Sequence, residues 1–149
     1  MLFMKKLFAQ IIKFGFVGGL CFLIDFVIST ALFHLLINVT SRSAATAVGG
    51  FVGFTISVVV NYILSMKFVF ERKEDMSRRK EFVIFVILSV IGLGVNEVIL
   101  LACSAVYEGS TALMEVFSDT LWFAASKVIA TAIVMVYNFV SRKIFLEKK

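Results

Sequence analysis

The residue types that most often build catalytic and metal sites are scarce in this sequence. Its 149 residues include one histidine, His34, and two cysteines, Cys21 and Cys103, which both lie inside long apolar runs. We therefore expect the cysteines to be small apolar fillers and not a disulfide. The sequence contains no Cys–His cluster, no phosphate-binding glycine loop and no Asp-x-Asp motif. We predict no metal site, no cofactor and no enzyme activity.

Long apolar runs account for most of the chain. Apolar residues make up 60% of the sequence, against about 45–50% in an average soluble domain. Four runs meet the requirement of about 20 mostly apolar residues for a membrane span. They are Phe14–Leu36, Ala44–Met66, Phe82–Val106 and Leu121–Lys143. We predict an all-α integral membrane fold, with one transmembrane domain over residues 1–149 and four transmembrane helices.

The net charge of +5 is unevenly distributed along the chain. Lys and Arg precede the first run, fill the loop at 67–81 and follow the fourth run, whereas the loop at 107–120 has neither. Because basic loops stay cytoplasmic, both termini and the 67–81 loop are predicted to be cytoplasmic. We interpret the charges of this loop as serving topology and solvation. Basic residues that flank apolar runs indicate anionic lipids as partners and not nucleic acid.

Small residues recur at helical spacing in the first two runs. In the second run they form a stripe at every fourth position that ends on an amide: Ala45, Gly49, Gly53, Ser57 and Asn61. Such a stripe lets two helix backbones approach closely in lipid. Gly15 and Gly19 in the first run predict the same. Since four helices enclose little volume, we expect a homodimer that packs through Gly49/Gly53 or Gly15/Gly19.

Three ionisable residues lie inside the apolar runs: Asp25, Glu97 and Lys127. Such residues are functional candidates by default, because charge inside a bilayer is unfavourable. At 1.5 Å per residue, Lys127 lies about 9 Å, Glu97 about 14 Å and Asp25 about 16 Å from the outer ends of their runs. A lysine side chain can bridge these offsets to either acid. Such a pair would either fix helix packing or line a polar slot.

The two halves of the sequence resemble each other. Phe14 aligns with Phe85 and Asp25 with Asn96; with one gap, Asn61 aligns with Asn138. The alignment also places Ser65, Met66 and Lys67 opposite Ser141, Arg142 and Lys143. Two spans in each half preserve orientation, so we predict two parallel two-helix repeats.

The sequence resembles the GtrA-like family of small four-span bacterial membrane proteins over nearly its whole length. The resemblance rests on Gly18, Gly19 and Asp25, on the segment NYILSMKFVF, and on Lys127 eleven residues before Asn138 and Phe139. Met66 departs from the pattern, which usually has a basic residue there. The resemblance implies that the protein flips a polyprenyl-phosphate-linked sugar across the bacterial cytoplasmic membrane, for glycosylation of a surface polysaccharide or teichoic acid.

The candidate substrate-binding residues combine membrane-embedded charges with amides and cations near the cytoplasmic ends. They are Asp25, Asn61, Asn96, Glu97, Lys127, Asn138, Arg142 and Lys143. Two other functions stay open. The chain could be a non-catalytic adaptor that anchors a membrane glycosyltransferase, or a small proton-coupled drug exporter that uses Glu97 or Asp25.

Overall fold

The computed structural model describes residues 1–148, which form five α-helices and one π-helical segment. In chain order these are α1 (Leu2–Leu36), α2 (Arg42–Leu64), the π-helical segment (Ser65–Val69), α3 (Arg78–Glu108), α4 (Thr111–Val116) and α5 (Asp119–Leu146). No β-strand occurs within the described residues. One isolated antiparallel bridge joins Arg72 to Glu147.

Four helices are long and apolar enough to cross a membrane. They are Leu2–Leu36, Arg42–Val69, Arg78–Glu108 and Asp119–Leu146, with 35, 28, 31 and 28 residues. Each contains one of the four predicted runs and exceeds the required length of about 20 residues. The prediction of an all-helical, multi-pass membrane protein is therefore confirmed at the level of helix length and composition. The cytoplasmic location of the termini and the parallel repeats stay predictions.

The chain is divided into two compact units. The first comprises Met1–Phe82 together with the C-terminal residues from Leu146, and the second comprises Val83–Phe145. The boundaries fall near the start of α3 and near the end of α5. The prediction of one transmembrane domain stays a prediction.

The first unit is built on a hairpin of α1 and α2 whose backbones approach closely. Ala45, Gly49 and Gly53 are buried at every fourth position of α2. A Cβ atom on Gly49 would lie 2.8 Å from the carbonyl oxygen of Ser29, and one on Gly53 would lie 2.9 Å from that of Asp25. The small-residue stripe of α2 therefore faces α1 of the same chain, which removes this face from the surface that a second copy could contact.

Side-chain hydrogen bonds fix the start and the register of α2. The Ser41 hydroxyl caps the helix by accepting from the N–H of Ala44 at 3.1 Å. Further along the stripe, the Ser57 hydroxyl donates to the Cys21 carbonyl of α1 at 3.1 Å. The hairpin is thus held by polar contacts as well as by close packing.

The helix changes from α to π geometry at Ser65. The N–H of Phe70 donates to the Ser65 carbonyl, five residues earlier, at 2.9 Å. A π-helical turn accommodates one more residue than an α-helical turn. Asn61 precedes Ser65 by four positions, whereas Asn138 precedes Ser141 by three. The single gap in the alignment of the two halves therefore falls in the last turn of α2, directly before the π-helical segment.

A network of buried and half-buried polar residues, the polar cap, lies at the end of the first unit that contains the π-helical segment. It consists of Gln10, Tyr62, Arg72, Glu81 and Glu147. The Glu81 carboxylate accepts from the Tyr62 hydroxyl at 2.8 Å and lies 3.3 Å from Arg72 Nη2. Gln10 Nε2 donates to Glu147 Oε2 at 2.5 Å. Because Glu81 is only 1% exposed, the interpretation of the whole charged loop as solvated is wrong at this position.

The close approach of α1 and α2 predicts different effects of alanine at two glycines of α2. Gly53→Ala places a Cβ 2.9 Å from the Asp25 carbonyl oxygen, a backbone atom that cannot rotate away. We expect it to lower stability by about 1–3 kcal/mol, as overpacking does. Gly50→Ala is the matched control, since a Cβ there meets no atom within 4 Å. Thermal unfolding in detergent checks this, and equal unfolding temperatures for the two variants would contradict the packing.

Candidate functional site

The predicted substrate-binding residues are divided between the two units. Asp25 and Asn61 lie in the first unit. The second unit contains the other six, which are Asn96, Glu97, Lys127, Asn138, Arg142 and Lys143. The surroundings of each residue within its own unit determine which are available to a ligand.

Asp25 is held in the interface of α1 and α2. Its Oδ1 atom accepts from the Ser29 hydroxyl at 2.9 Å, and the same hydroxyl lies 3.1 Å from the Gly49 carbonyl oxygen. A Cβ on Gly53 would come within 2.5 Å of the carboxylate. The missing side chain of Gly53 therefore makes room for Asp25, and the carboxylate is partnered inside the hairpin.

Asn61 is also partnered locally. Its Oδ1 atom accepts from the Ser65 hydroxyl at 2.7 Å, at the first residue of the π-helical segment. Ser65 is fully buried. The amide oxygen of Asn61 is thus occupied by a bond across the last turn of α2, directly before the π-helical segment.

In the second unit, α3 and α5 are joined at two levels. Trp122 Nε1 donates to the Cys103 carbonyl at 2.8 Å, and the Trp122 ring stacks on Tyr107 with centroids 5.5 Å apart. Fifteen residues further along α5, the Tyr137 hydroxyl donates to the Leu88 carbonyl at 3.2 Å. These contacts fix the heights of the two helices relative to each other.

Asn138 lies where α3 and α5 approach closely. A Cβ on Gly92 would lie 2.9 Å from Asn138 Oδ1 and 3.3 Å from the Tyr137 ring. The Oδ1 atom is buried and accepts no hydrogen bond within the described residues. Because a buried carbonyl without a donor costs about 1–3 kcal/mol, this oxygen is a candidate acceptor for a ligand hydroxyl.

Arg142 is enclosed by two side chains of α3, Phe85 and Ser89. Its Nη2 atom donates to the Ser89 hydroxyl at 2.7 Å, and its guanidinium carbon lies 4.2 Å from the Phe85 ring centroid. The latter contact is a cation–π interaction. Arg142 is only 1% exposed, so in this conformation it does not reach a ligand at the surface. Its predicted contact with a headgroup stays a prediction.

The sequence did not indicate Phe85 and Ser89 as neighbours of Arg142. The two lie one helical turn apart, and the Ser89 hydroxyl donates to the Phe85 carbonyl at 2.8 Å, so their shared face was available from the spacing. The spacing could not predict that this face contacts Arg142, which follows Ser89 by 53 positions. Only the fold brings them together.

Lys127 and Glu97 are exposed on the second unit. Asn96 Nδ2 donates to Glu97 Oε1 at 3.3 Å. Within the described residues, Lys127 and Glu97 form no ion pair with each other, although their estimated depths would allow one. Lys127 thus presents an ammonium group on a helix that is long and apolar enough to span a membrane.

The remaining polar residues add a half-buried cation and no metal site. Lys143 follows Arg142 near the end of α5 and is half-buried. Within residues 1–148, no three His, Cys, Asp or Glu side chains lie close enough together to hold a metal ion. The polar groups of the second unit are suited to binding an anion and hydroxyl groups by hydrogen bonds.

Comparison with known proteins identifies the family. A family model described as GtrA/DPMS, transmembrane domain, matches residues 13–146, which is nearly the whole chain. No curated protein and no solved structure matches the chain. The chain therefore belongs to the GtrA/DPMS transmembrane-domain family, which indicates a membrane function related to polyprenyl-phosphate sugars.

Proposed function

We propose that this protein flips a polyprenyl-phosphate-linked sugar, of the undecaprenyl type, across the bacterial cytoplasmic membrane without catalysing a covalent step. The sugar would serve glycosylation of a surface polysaccharide or teichoic acid. Membership of the GtrA/DPMS family supports the substrate class. The choice of residues rests on the geometry of the second unit.

The observation that carries the proposal is the exposed ammonium group of Lys127. Trp122 lies level with Cys103 of α3, and Lys127 follows it by five residues, or about 7.5 Å along α5. A lysine at membrane depth costs about 2.5–3.5 kcal/mol on insertion scales. A cost of this size favours a role in which the ammonium group meets a polar ligand. An anionic phosphate satisfies its charge and its hydrogen-bond donors together.

A bound headgroup would have further polar partners on α5. Asn138 lies eleven residues after Lys127, about three helical turns, and therefore on nearly the same side. Its buried amide oxygen suits a sugar hydroxyl. Lys143 would attract the phosphate at the end of the helix. The polyprenyl chain would stay in the bilayer, because the headgroup alone needs a polar route.

The orientation of the helices across the membrane follows from the distribution of basic residues. Basic residues are concentrated at both termini and in the 67–81 loop, and such segments stay cytoplasmic. In this orientation Lys143 lies on the cytoplasmic side and Lys127 deeper, toward the outer side. A phosphate would therefore meet Lys143 first and Lys127 later along its path.

A specific feature of α1 favours a second candidate, a membrane adaptor for a glycosyltransferase. An open apolar groove on α1 is lined by Ile12, Gly15, Phe16, Gly19, Leu20 and Leu23. A Cβ on Gly19 would meet no atom within 4 Å. A helix of a partner protein fits such a small-residue groove. The adaptor would need this face, whereas the translocase would need Lys127.

Lys127→Met tests the proposed translocase in vesicles that contain only this protein. The substrate is a short-chain polyprenyl-phosphate sugar with a label on the sugar, and its delivery to the vesicle interior is measured. We expect transport at low substrate concentration to fall about tenfold to hundredfold, because a hydrogen bond to a charged group contributes about 1.5–3 kcal/mol. Lys127→Arg should keep part of the activity.

Lys5→Met is the control for that experiment, since Lys5 is an exposed lysine near the start of α1. It removes one positive charge but should leave transport unchanged. Equal transport by Lys127→Met and wild type, at equal protein levels, would remove Lys127 from the mechanism. Wild-type vesicles without any transport would favour the adaptor.

Arg142→Met separates the charge of Arg142 from its volume. Methionine stands at the aligned position of the first half, where Met66 is 3% exposed. Replacing a buried charge by an apolar side chain of similar size is often neutral or stabilising, so we expect Arg142→Met to unfold within a few degrees of wild type. Arg142→Ala, which leaves a cavity, should lose about 2–5 kcal/mol. Thermal unfolding in detergent checks both, and equal losses would contradict an enclosed Arg142.

With the fold retained, transport by Arg142→Met reports on the charge alone. We expect transport to decrease at low substrate concentration, because the guanidinium group adds to the positive potential that attracts a phosphate. Raising the salt concentration should lower wild-type transport and leave the variant less affected. Transport equal to wild type at low salt would limit Arg142 to packing.

A further inference from the structure

Lys127 and Glu97 lie at the same height on the second unit. The hydrogen bond from Trp122 to Cys103 marks one level. From that level, Lys127 is five residues along α5 and Glu97 six residues back along α3, which corresponds to about 7.5 and about 9 Å. Counted from the level where Tyr137 bonds to Leu88, the two heights again differ by about 1.5 Å.

Equal height does not bring the two charges together within the chain. Both side chains are exposed, and within the described residues they do not pair with each other. Both charges are thus open to a contact from outside the α3–α5 pair. An ammonium group and a carboxylate that face acyl chains without an opposite charge are both unfavourable. Each calls for an opposite charge at its own depth.

We propose that a second copy of this chain supplies these charges, so that Lys127 of each copy faces Glu97 of the other. A twofold axis along the membrane normal leaves the depth of every residue unchanged, and it pairs a residue i with j and j with i. One such axis creates two identical ion pairs only if Lys127 and Glu97 share one height. Their heights on the second unit meet this condition.

The residues around the two charges suit a helix contact. One turn to either side of Glu97, the exposed residues of α3 are Leu93 and Leu101. One turn to either side of Lys127, those of α5 are Phe123 and Thr131. Three of these four side chains are apolar and would shield an ion pair from water and headgroups. The charges would thus fix the register of the dimer, and the apolar residues would provide its contact area.

The inference rests on the proposed function in one respect: the second copy completes the anion site. In the resting dimer the partner's carboxylate would hold Lys127 and keep its charge satisfied. An entering phosphate would compete with that carboxylate for the ammonium group. Neither copy alone provides this exchange.

Charge reversal in two differently tagged copies tests the dimer without reference to transport. A copy with Lys127→Glu carries two acidic groups at the interface, and a copy with Glu97→Lys carries two basic groups. Each should fail to pair with itself, because like charges then oppose each other at both contacts. A mixed dimer pairs an acid with a base at both contacts. We expect co-purification from native membranes to yield at least about tenfold more mixed than like dimers.

A single copy with both reversals, Lys127→Glu and Glu97→Lys, should pair with itself as wild type does, because both ion pairs are restored with reversed direction. This variant also shows that the substitutions are compatible with the fold. As a geometric control, short cross-linkers in a cysteine-free background should join Glu97→Cys to Lys127→Cys between copies. They should not join Val98→Cys to Val128→Cys, which lie about 100° further round each helix.

Random mixing of the two single-reversal copies, or a wild-type chain that stays monomeric in native membranes, would overturn the inference. Failure of the proposed function looks different. Wild-type vesicles would then transport nothing, while the mixed copies would still pair selectively.

Discussion

A charged group at the depth of lipid tails must meet another polar group, and three charged residues of this chain differ in whether the chain itself provides one. Asp25 accepts a hydrogen bond from Ser29 inside the α1–α2 hairpin. Arg142 lies on the Phe85 ring and donates to Ser89 within the second unit. Lys127 has neither kind of shelter and remains exposed. Only the third arrangement leaves a charge for a molecule that comes from outside.

At aligned positions, the first unit has apolar or hydrogen-bonded side chains where the second unit has a cation or an amide oxygen without a bound donor in the described part of the chain. In the alignment of the two halves, Met66 stands opposite Arg142 and Gly18 opposite Ser89. Met66 is buried, so an apolar side chain lies where the second half has a guanidinium group. The extra residue of the first half lies directly before the π-helical segment, and the Asn61 oxygen accepts a hydrogen bond from Ser65. By contrast, the Asn138 oxygen is not bound within the described residues.

Features that repeat along a single helix could be predicted from the sequence. Features that depend on which way a side chain faces around its helix, or on contacts between distant residues, could not. The four runs and the stripe of Gly49 and Gly53 have local periodicity, and the structure places this stripe against α1. Burial of Glu81 was not predictable, because its partners Tyr62 and Arg72 are provided by other segments.

The unpaired Lys127 and Glu97 are the clearest case of this limit. Their depths, estimated from the run ends, allowed a pair. Depth alone does not bring two side chains together, since each must also face its partner around the helix axis. Within one chain they do not meet. Equal height and exposure of both residues are what a twofold contact between two identical copies requires.

The two cations of the second unit also differ in a way that fits their surroundings. A guanidinium group is planar and weakly hydrated, and it stacks well on an aromatic ring, as Arg142 does on Phe85. An ammonium group on a flexible chain is a compact point charge that binds a phosphate without a fixed geometry. The proposed transport requires release of the substrate as well as binding, and a flexible lysine at the exposed position with a fixed arginine at the buried one is consistent with that proposal. Exchanging them would place the stronger, more directional phosphate binder on the proposed path, where it would slow release.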